Sequence, residues 1–212
     1  MPRTKSESTR DALIAAAEHL FGTKGIDRAS TREILELAGQ KNQSALQYHF
    51  KDRAGLIWAV IDARLVKIEK RRAAMLEKMP PRGKETAEQI MDAFIRPLTE
   101  VVLEDEQGSA YVQFIAQSAH RPQGEPLATI NSGNYPALSE LAARIEGKLE
   151  HIAPEERVLR KRMIINMAVG AVSIWDANEK DKIGMEQFIA TAIAATVPLI
   201  GLSSVLAKRA AE

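Results

Sequence analysis

Lys41, Asn42, Gln43, Ser44, Gln47, Tyr48 and His49 crowd amides, hydroxyls and positive charge into one short run, interrupted only by the apolar pair Ala45 and Leu46. Side chains of this kind suit the pattern of donors and acceptors that base edges display in the major groove of DNA, a groove wide enough to admit an α-helix. A helix from about Asn42 to His49 with so little apolar surface needs a partner on its polar side. A solvated surface helix in an unrelated all-helical domain is the competing reading of the same residues.

The neighbouring segments would hold such a helix in place. Ser30 can cap a preceding helix, Glu33 completes a capping box, and Ile34, Leu37 and Ala38 give it a buried stripe. Gly39 then permits the left-handed turn from which the next segment leaves at a steep angle. Upstream, Ser8 or Thr9 precedes a helix with Leu13, Ala16, Ala17, Leu20 and Phe21 on one face, closed by Gly25 and Ile26. Downstream, Phe50 is an apolar anchor and Asp52 can cap a fourth helix carrying Leu56, Ile57, Val60 and Ile61. Lys51 and Arg53 flank that helix start, where basic side chains and open N–H groups together meet a phosphate. Arg3, Lys5 and Arg10 form a basic arm that could reach a DNA backbone or minor groove.

The chain has 212 residues and a net charge of +1, so attraction to nucleic acid must be concentrated locally. It has no cysteine, and the four histidines show no zinc-ligand spacing, so neither thiol redox chemistry nor a metal site is expected. Paired carboxylates, a phosphate-cradling glycine loop and a nucleophile with a positioned base are not found as motifs, which argues against catalytic residues, a cofactor or an enzyme. No apolar run approaches the ~20 residues that span a bilayer, and a cytoplasmic protein without membrane contact is expected.

Thr9-Arg10, the Ala15-Ala16-Ala17 and Leu20-Phe21 run, Gly25, Ser30-Thr31, Ala38-Gly39, and Tyr48-His49-Phe50 with Leu56 resemble, in order and spacing, the N-terminal domain of TetR/AcrR-family transcriptional regulators. The resemblance implies an all-α protein. Residues 1–52 would form a three-helix helix-turn-helix DNA-binding domain, and residues 53–212 a larger helical domain for effector binding and dimerisation. It places Thr31 near a phosphate, Gln43, Ser44, Ala45 and Gln47 toward the groove, and Tyr48 and His49 on the DNA backbone. It also implies a homodimer, its final two helices forming a four-helix bundle. Two reading helices one DNA turn apart would then span the half-sites of a pseudo-palindromic operator in double-stranded DNA.

Further along, Thr86 boxed by Gln89 opens a helix with Pro97 inside it, Ser109–Ala119 reads as another, and Pro136 and Pro154 each start one more. A last helix is expected over about Gly184–Leu206, with short loops at 80–83, 105–108 and 120–134. A ligand pocket is expected from Phe94, Tyr111, Phe114, Met163, Met167 and Trp175, with Gln117, His120, Asn166 and Asn178 as polar anchors, although all could equally be core or interface. Asn166, Gly170 and Ser173 share one side of the Pro154 helix, Met163, Met167 and Ile174 another. Gly170 and Ser173, with Phe188, Ala192 and Thr196 on the last helix, are the expected dimer contacts. The implied mechanism is a repressor released from its operator by a hydrophobic or aromatic small molecule. The alternative is a dimeric DNA-binding regulator without an effector, whose C-terminal body dimerises or holds a partner protein.

Overall fold

The computed structural model describes residues 5–42, 44–104, 106–119 and 135–202. Its regular elements are helices: α1 (Lys5–Lys24), α2 (Thr31–Leu37), α3 (Ser44–Phe50), α4 (Arg53–Lys78), α5 (Ala87–Glu104), α6 (Glu106–Ala119), α7 (Pro136–Lys148), α8 (Pro154–Ile174) and α9 (Met185–Gly201), with a π-helical turn Trp175–Glu179 after α8. The all-α expectation holds. Arg3, Gln43, His120 and the loop expected over 120–134 lie outside the described residues. No helix among the described residues is long and apolar enough to cross a membrane.

Packing divides the chain into two compact units, residues 1–67 with 101–127, and residues 68–100 with 128–212. The division differs from a simple cut after residue 52 because α4 contributes to both units and α6 joins the first.

In the first unit, Leu13, Ala16, Ala17, Leu20 and Phe21 are buried along α1, as their spacing predicts. Ser8 and Thr9 lie inside α1, which is already helical at Lys5, so they are not its caps. Gly25 closes α1 with φ of +95°, and Ile26 is buried beyond it. α6 packs on α1 at close range: a Cβ on Gly22 would fall 2.2 Å from the Ala110 carbonyl oxygen. Phe114 stacks on Phe21 with centroids 5.5 Å apart, and the Tyr111 hydroxyl donates to the Ile61 carbonyl at 3.3 Å. Arg64 and Glu18, both buried, pair at 2.7 Å. The loop expected at 105–108 is largely helical instead. Gly108 sits in α6 where a Cβ would meet the Val101 oxygen at 1.9 Å, so the end of α5 and the start of α6 abut.

The capping box of α2 forms in both directions: Glu33 N donates to Ser30 Oγ at 3.2 Å, and Ser30 N to Glu33 Oε2 at 2.9 Å. The buried pair of α2 is Ile34 and Leu35, whereas Leu37, expected inside, is 55% exposed. Lys24 Nζ reaches Glu33 Oε1 at 2.5 Å, and this contact, together with the Ser30 donors, holds the Glu33 carboxyl down to about 2 from an ordinary 4.5. A carboxyl depressed in the folded state stabilises above its unfolded pKa and loses that contribution as pH falls through its folded one. The wild-type melting temperature should therefore fall between about pH 4.5 and pH 2 more steeply than that of Glu33→Gln, and circular dichroism melts across this window would measure the difference.

The second unit is joined by buried polar contacts. Tyr135 offers α7 no side-chain cap. Glu69 of α4 does so instead, accepting from the backbone N–H of Ala137 and, at 3.2 Å, of Leu138. Arg72 lies over the Phe94 ring at 5.0 Å and donates to the Phe94 carbonyl at 3.2 Å. Buried Arg144 and Glu85 pair at 3.3 Å, tying the segment before α5 to α7. Arg160 of α8 donates to the carbonyls of Leu202 and, at 3.4 Å, Leu199, satisfying acceptors at the end of α9. After α8 the π-helical turn precedes the connection to α9, and Trp175 stacks on Phe188 at 4.9 Å with its indole N–H on the Ile183 carbonyl at 2.8 Å.

Candidate nucleic-acid interface

The turn between α2 and α3 is made by Gly39 at φ of +66°, a conformation that glycine takes without steric cost. Asn42 then accepts from Ser44 N at 2.9 Å through Oδ1 and starts α3, two residues later than the expected Asn42. Phe50 anchors α3 in the first unit, with Ala45, Leu46 and His49 half-buried. Ser44, Gln47 and Tyr48 stay in solvent, as do Lys41, Asn42 and Lys51 around them. Tyr48 is 80% exposed, with the ring of His49 edge-on to it at a centroid distance of 4.9 Å. A phenol ring left in water on a two-turn helix is the strongest local sign of an unfilled contact surface.

Between α3 and α4 the chain turns in very little space. Lys51 adopts φ of +68°, the one positive φ at a residue other than glycine among the described residues. Asp52 Oδ1 accepts from Gly55 N at 2.7 Å, and a Cβ on Gly55 would lie 2.0 Å from the Phe50 oxygen. A left-handed non-glycine residue costs about 1–2 kcal/mol. Its lysine side chain is exposed. A cleft of about 230 Å³ brings Thr31, Leu46, Gln47, Lys51, Asp52, Arg53 and Leu56 together, so an amide, a hydroxyl and an ammonium expected to meet DNA line one depression. A second groove, about 520 Å³, runs beside the turn along Arg32, Leu35, Glu36, Gly39, Gln40 and Lys41.

Arg53 differs from its expected role at a phosphate. Its guanidinium donates to the Ile26 carbonyl and, at 2.6 Å, to that of Ala29, and covers the Phe21 ring at 5.3 Å. It is a structural clamp on the segment after α1. Sequence reading missed this because the acceptors are backbone carbonyls, which leave no trace in residue type.

The expected pocket residues are divided between the two compact units. Tyr111 and Phe114 are buried in the first unit, and Gln117 donates to the Phe21 carbonyl at 3.4 Å. Phe94, Met163, Asn166, Met167, Trp175 and Asn178 belong to the second. Of these, Phe94 and Trp175 are buried in the contacts already described, Asn178 donates to the Ile174 carbonyl at 3.2 Å, and Met163 and Met167 are 48% and 40% exposed. On α8 the inward row is neither of the two sets expected, and Met163, Met167 and Ile174 lie outward. Ile164, Ala168, Val169 and Val172 point inward, while Leu159, Met163, Met167 and Ile174 face solvent beside half-buried Gly170 and Ser173. On α9, Phe188, Ala192 and Thr196, expected at a dimer contact, are buried within the protomer, and Ala190, Thr191, Ala194, Ala195 and Pro198 are exposed instead. From Met163 onward α8 is apolar nearly all round, and α9 is apolar over most of its length, so periodicity could not tell the inner row from the outer one.

This arrangement matches known proteins at both ends of the chain. Residues 13–60 match the bacterial regulatory proteins of the tetR family, and residues 92–198 the tetracyclin repressor-like C-terminal domain. The chain belongs to the TetR family. The HTH-type transcriptional regulator TtgR of Pseudomonas putida is 40% identical over 63 residues, 29% of this chain and 30% of that protein. The HTH-type transcriptional repressor BepR of Brucella suis biovar 1 is 35% identical over 63 residues, with the same shares. The chain thus spans 30% of the length of the curated relatives it matches. Solved TetR-type structures extend the likeness in fold to nearly the whole chain. A TetR-family transcription regulator from a Shewanella species has a TM-score of 0.62 at 17% identity, covering 92% of this chain and 97% of that one. NalD, the secondary repressor of the MexAB-OprM multidrug efflux pump in Pseudomonas aeruginosa, has a TM-score of 0.53 at 18% identity, covering 93% and 96%.

Proposed function

We propose that this TetR-family protein is a dimeric, sequence-specific DNA-binding transcriptional regulator, acting as a repressor. The observation that carries the reading is α3, which exposes Ser44, Gln47 and Tyr48 next to Lys51 while Phe50 fixes its other end in the first unit. Gln47 reads a base edge, and Thr31, Tyr48 and Lys51 hold the phosphates on either side. Gln47→Ala should weaken binding to an operator selected from random duplexes by about 10-fold, the scale of one base contact, and leave binding to random duplex unchanged. Lys51→Gly should weaken both, and it should also raise thermal stability because it relieves the left-handed backbone. Anisotropy titrations and a melting curve on the same preparations test the pair; equal operator affinity in wild type and both variants overturns the assignment.

Dimerisation is typical of the family, and the exposed faces of α8 and α9 are the surface proposed for it. Leu159, Met163 and Ile174 on α8 and small residues on α9 leave an exposed apolar surface, with exposed Arg162 next to Met163 in the chain, that a second copy would cover.

Release by a hydrophobic or aromatic effector is the finer part of the proposal, with the second unit as its site. The effector acts only through its different affinity for the DNA-competent and the released states. One observation favours the alternative without an effector: Tyr111 and Phe114, expected to line a pocket, serve as core of the first unit. A screen of aromatic and apolar compounds for loss of the protein–operator complex decides between the two.

A further inference from the structure

We propose that Asn166 sets the register of the homodimer, each copy's carboxamide hydrogen bonding to the other across the two-fold axis. The inference rests on the reading of α8 and α9 as the subunit contact. Asn166 is half-buried on the same side of α8 as the exposed Leu159, Met163 and Ile174, one turn after Met163 and one turn before half-buried Gly170. The row runs from Leu159 to Ile174, so its midpoint falls at Asn166 and Met167. The Asn166 amide takes no hydrogen-bond partner from among the described residues. An unpartnered amide in the middle of an apolar row is costly once covered, unless the covering surface answers both its donor and its acceptor.

Two-fold symmetry supplies that answer. In the proposed dimer the two rows run antiparallel, so the two-fold axis stands perpendicular to α8 and passes through the midpoint, where a residue meets itself. A carboxamide is self-complementary under this operation, since its NH2 group donates to the other copy's oxygen while its own oxygen accepts in return. A carboxylate or an ammonium in the same place would meet its like. A dimer slipped by one helical turn would set the amide against Met163 or Gly170 with the amide pair unmade, so the pairing penalises wrong registers more than it strengthens the right one. Close approach is available, because a Cβ on Gly170 would meet nothing within 4 Å and α9 exposes Ala190 and Ala194.

The chain has no cysteine, so Asn166→Cys introduces a single thiol. A disulfide forms only where the two Cα atoms come within about 4.4–6.8 Å, which makes cross-linking a direct test of self-pairing. Under mild oxidation Asn166→Cys should run as a covalent dimer on a non-reducing gel, at least about 10-fold more abundant than for Glu155→Cys at the exposed start of α8, where the partner's thiol is far beyond that reach. Asn166→Leu should remain dimeric but lose register, so that spin labels at Glu155→Cys show a broadened or split inter-subunit distance where the Asn166 background shows one. If the wild type sediments as a dimer and Asn166→Cys does not cross-link, the self-pairing is overturned and the interface stands. If the wild type sediments as a monomer, the interface falls, and the self-pairing with it.

Discussion

Gly22→Ala should unfold the first unit at temperatures where the wild type is intact. The new Cβ would lie 2.2 Å from the Ala110 oxygen and 2.5 Å from its Cα, and both are backbone atoms that no rotamer change can move aside. Relief requires α1 and α6 to separate, which also parts Phe21 from Phe114 and draws Gln117 off the Phe21 carbonyl. Overpacking of this kind costs about 3 kcal/mol, a large share of the ~5–15 kcal/mol that holds a domain. DNA binding should be lost with it, because α1 belongs to the unit that holds α3, the proposed reading helix. Gly147→Ala is the control: it lies in α7, a Cβ there meets nothing within 4 Å, and replacing a helical glycine by alanine gains up to about 1 kcal/mol. Circular dichroism melts should move the two variants in opposite directions. A Gly22→Ala protein that melts with the wild type would mean that α1 and α6 do not approach as described.

The same glycine shows where the sequence was silent. Capping residues announce themselves by type and spacing, and Ser30 with Glu33, Asp52, and Thr86 with Gln89 cap as read. The inward row of α1 and the left-handed turns at Gly25 and Gly39 were legible for the same reason, since each rests on interactions within a few residues. Close approaches between distant helices are not local. Nothing near Gly22 says that Ala110 will come against it, and nothing near Arg53 says that its guanidinium will turn to the carbonyls of Ile26 and Ala29. The residues proposed to face DNA were accessible because polar side chains on a short helix are conspicuous. The body was harder to read. Phe94, Tyr111, Phe114 and Trp175 are the residue types that line pockets, and they are equally the types that fill cores. The structure puts each of them in a packed contact: Phe94 under Arg72, Tyr111 on the Ile61 carbonyl, Phe114 on Phe21 and Trp175 on Phe188.

Met163→Glu should separate the proposed dimer and, by doing so, remove tight operator binding without touching a DNA contact. Met163 is 48% exposed, faces away from Ile164 and Ala168, and sits on the same row as Leu159, Gly170 and Ile174. In the free protomer a glutamate there remains in water and α8 loses nothing it packs against, so the monomer keeps its helix content. In the dimer the same carboxylate would be desolvated among apolar side chains with no cation assigned to it, a penalty of several kcal/mol per copy. Operator binding then loses its second head, and a linked pair of heads exceeds a single one by about 10²–10⁴ in affinity. The operator Kd should rise at least about 100-fold, while the affinity of one head for a half-site stays near its wild-type value. Sedimentation velocity reports the assembly and fluorescence anisotropy the affinity, on the same samples. Phe188→Ala gives the contrast, since Phe188 is buried against Trp175 and its loss should lower the melting temperature before it alters assembly. A Met163→Glu protein that still sediments as a dimer and holds the operator as tightly as the wild type would move the subunit contact off this face of α8.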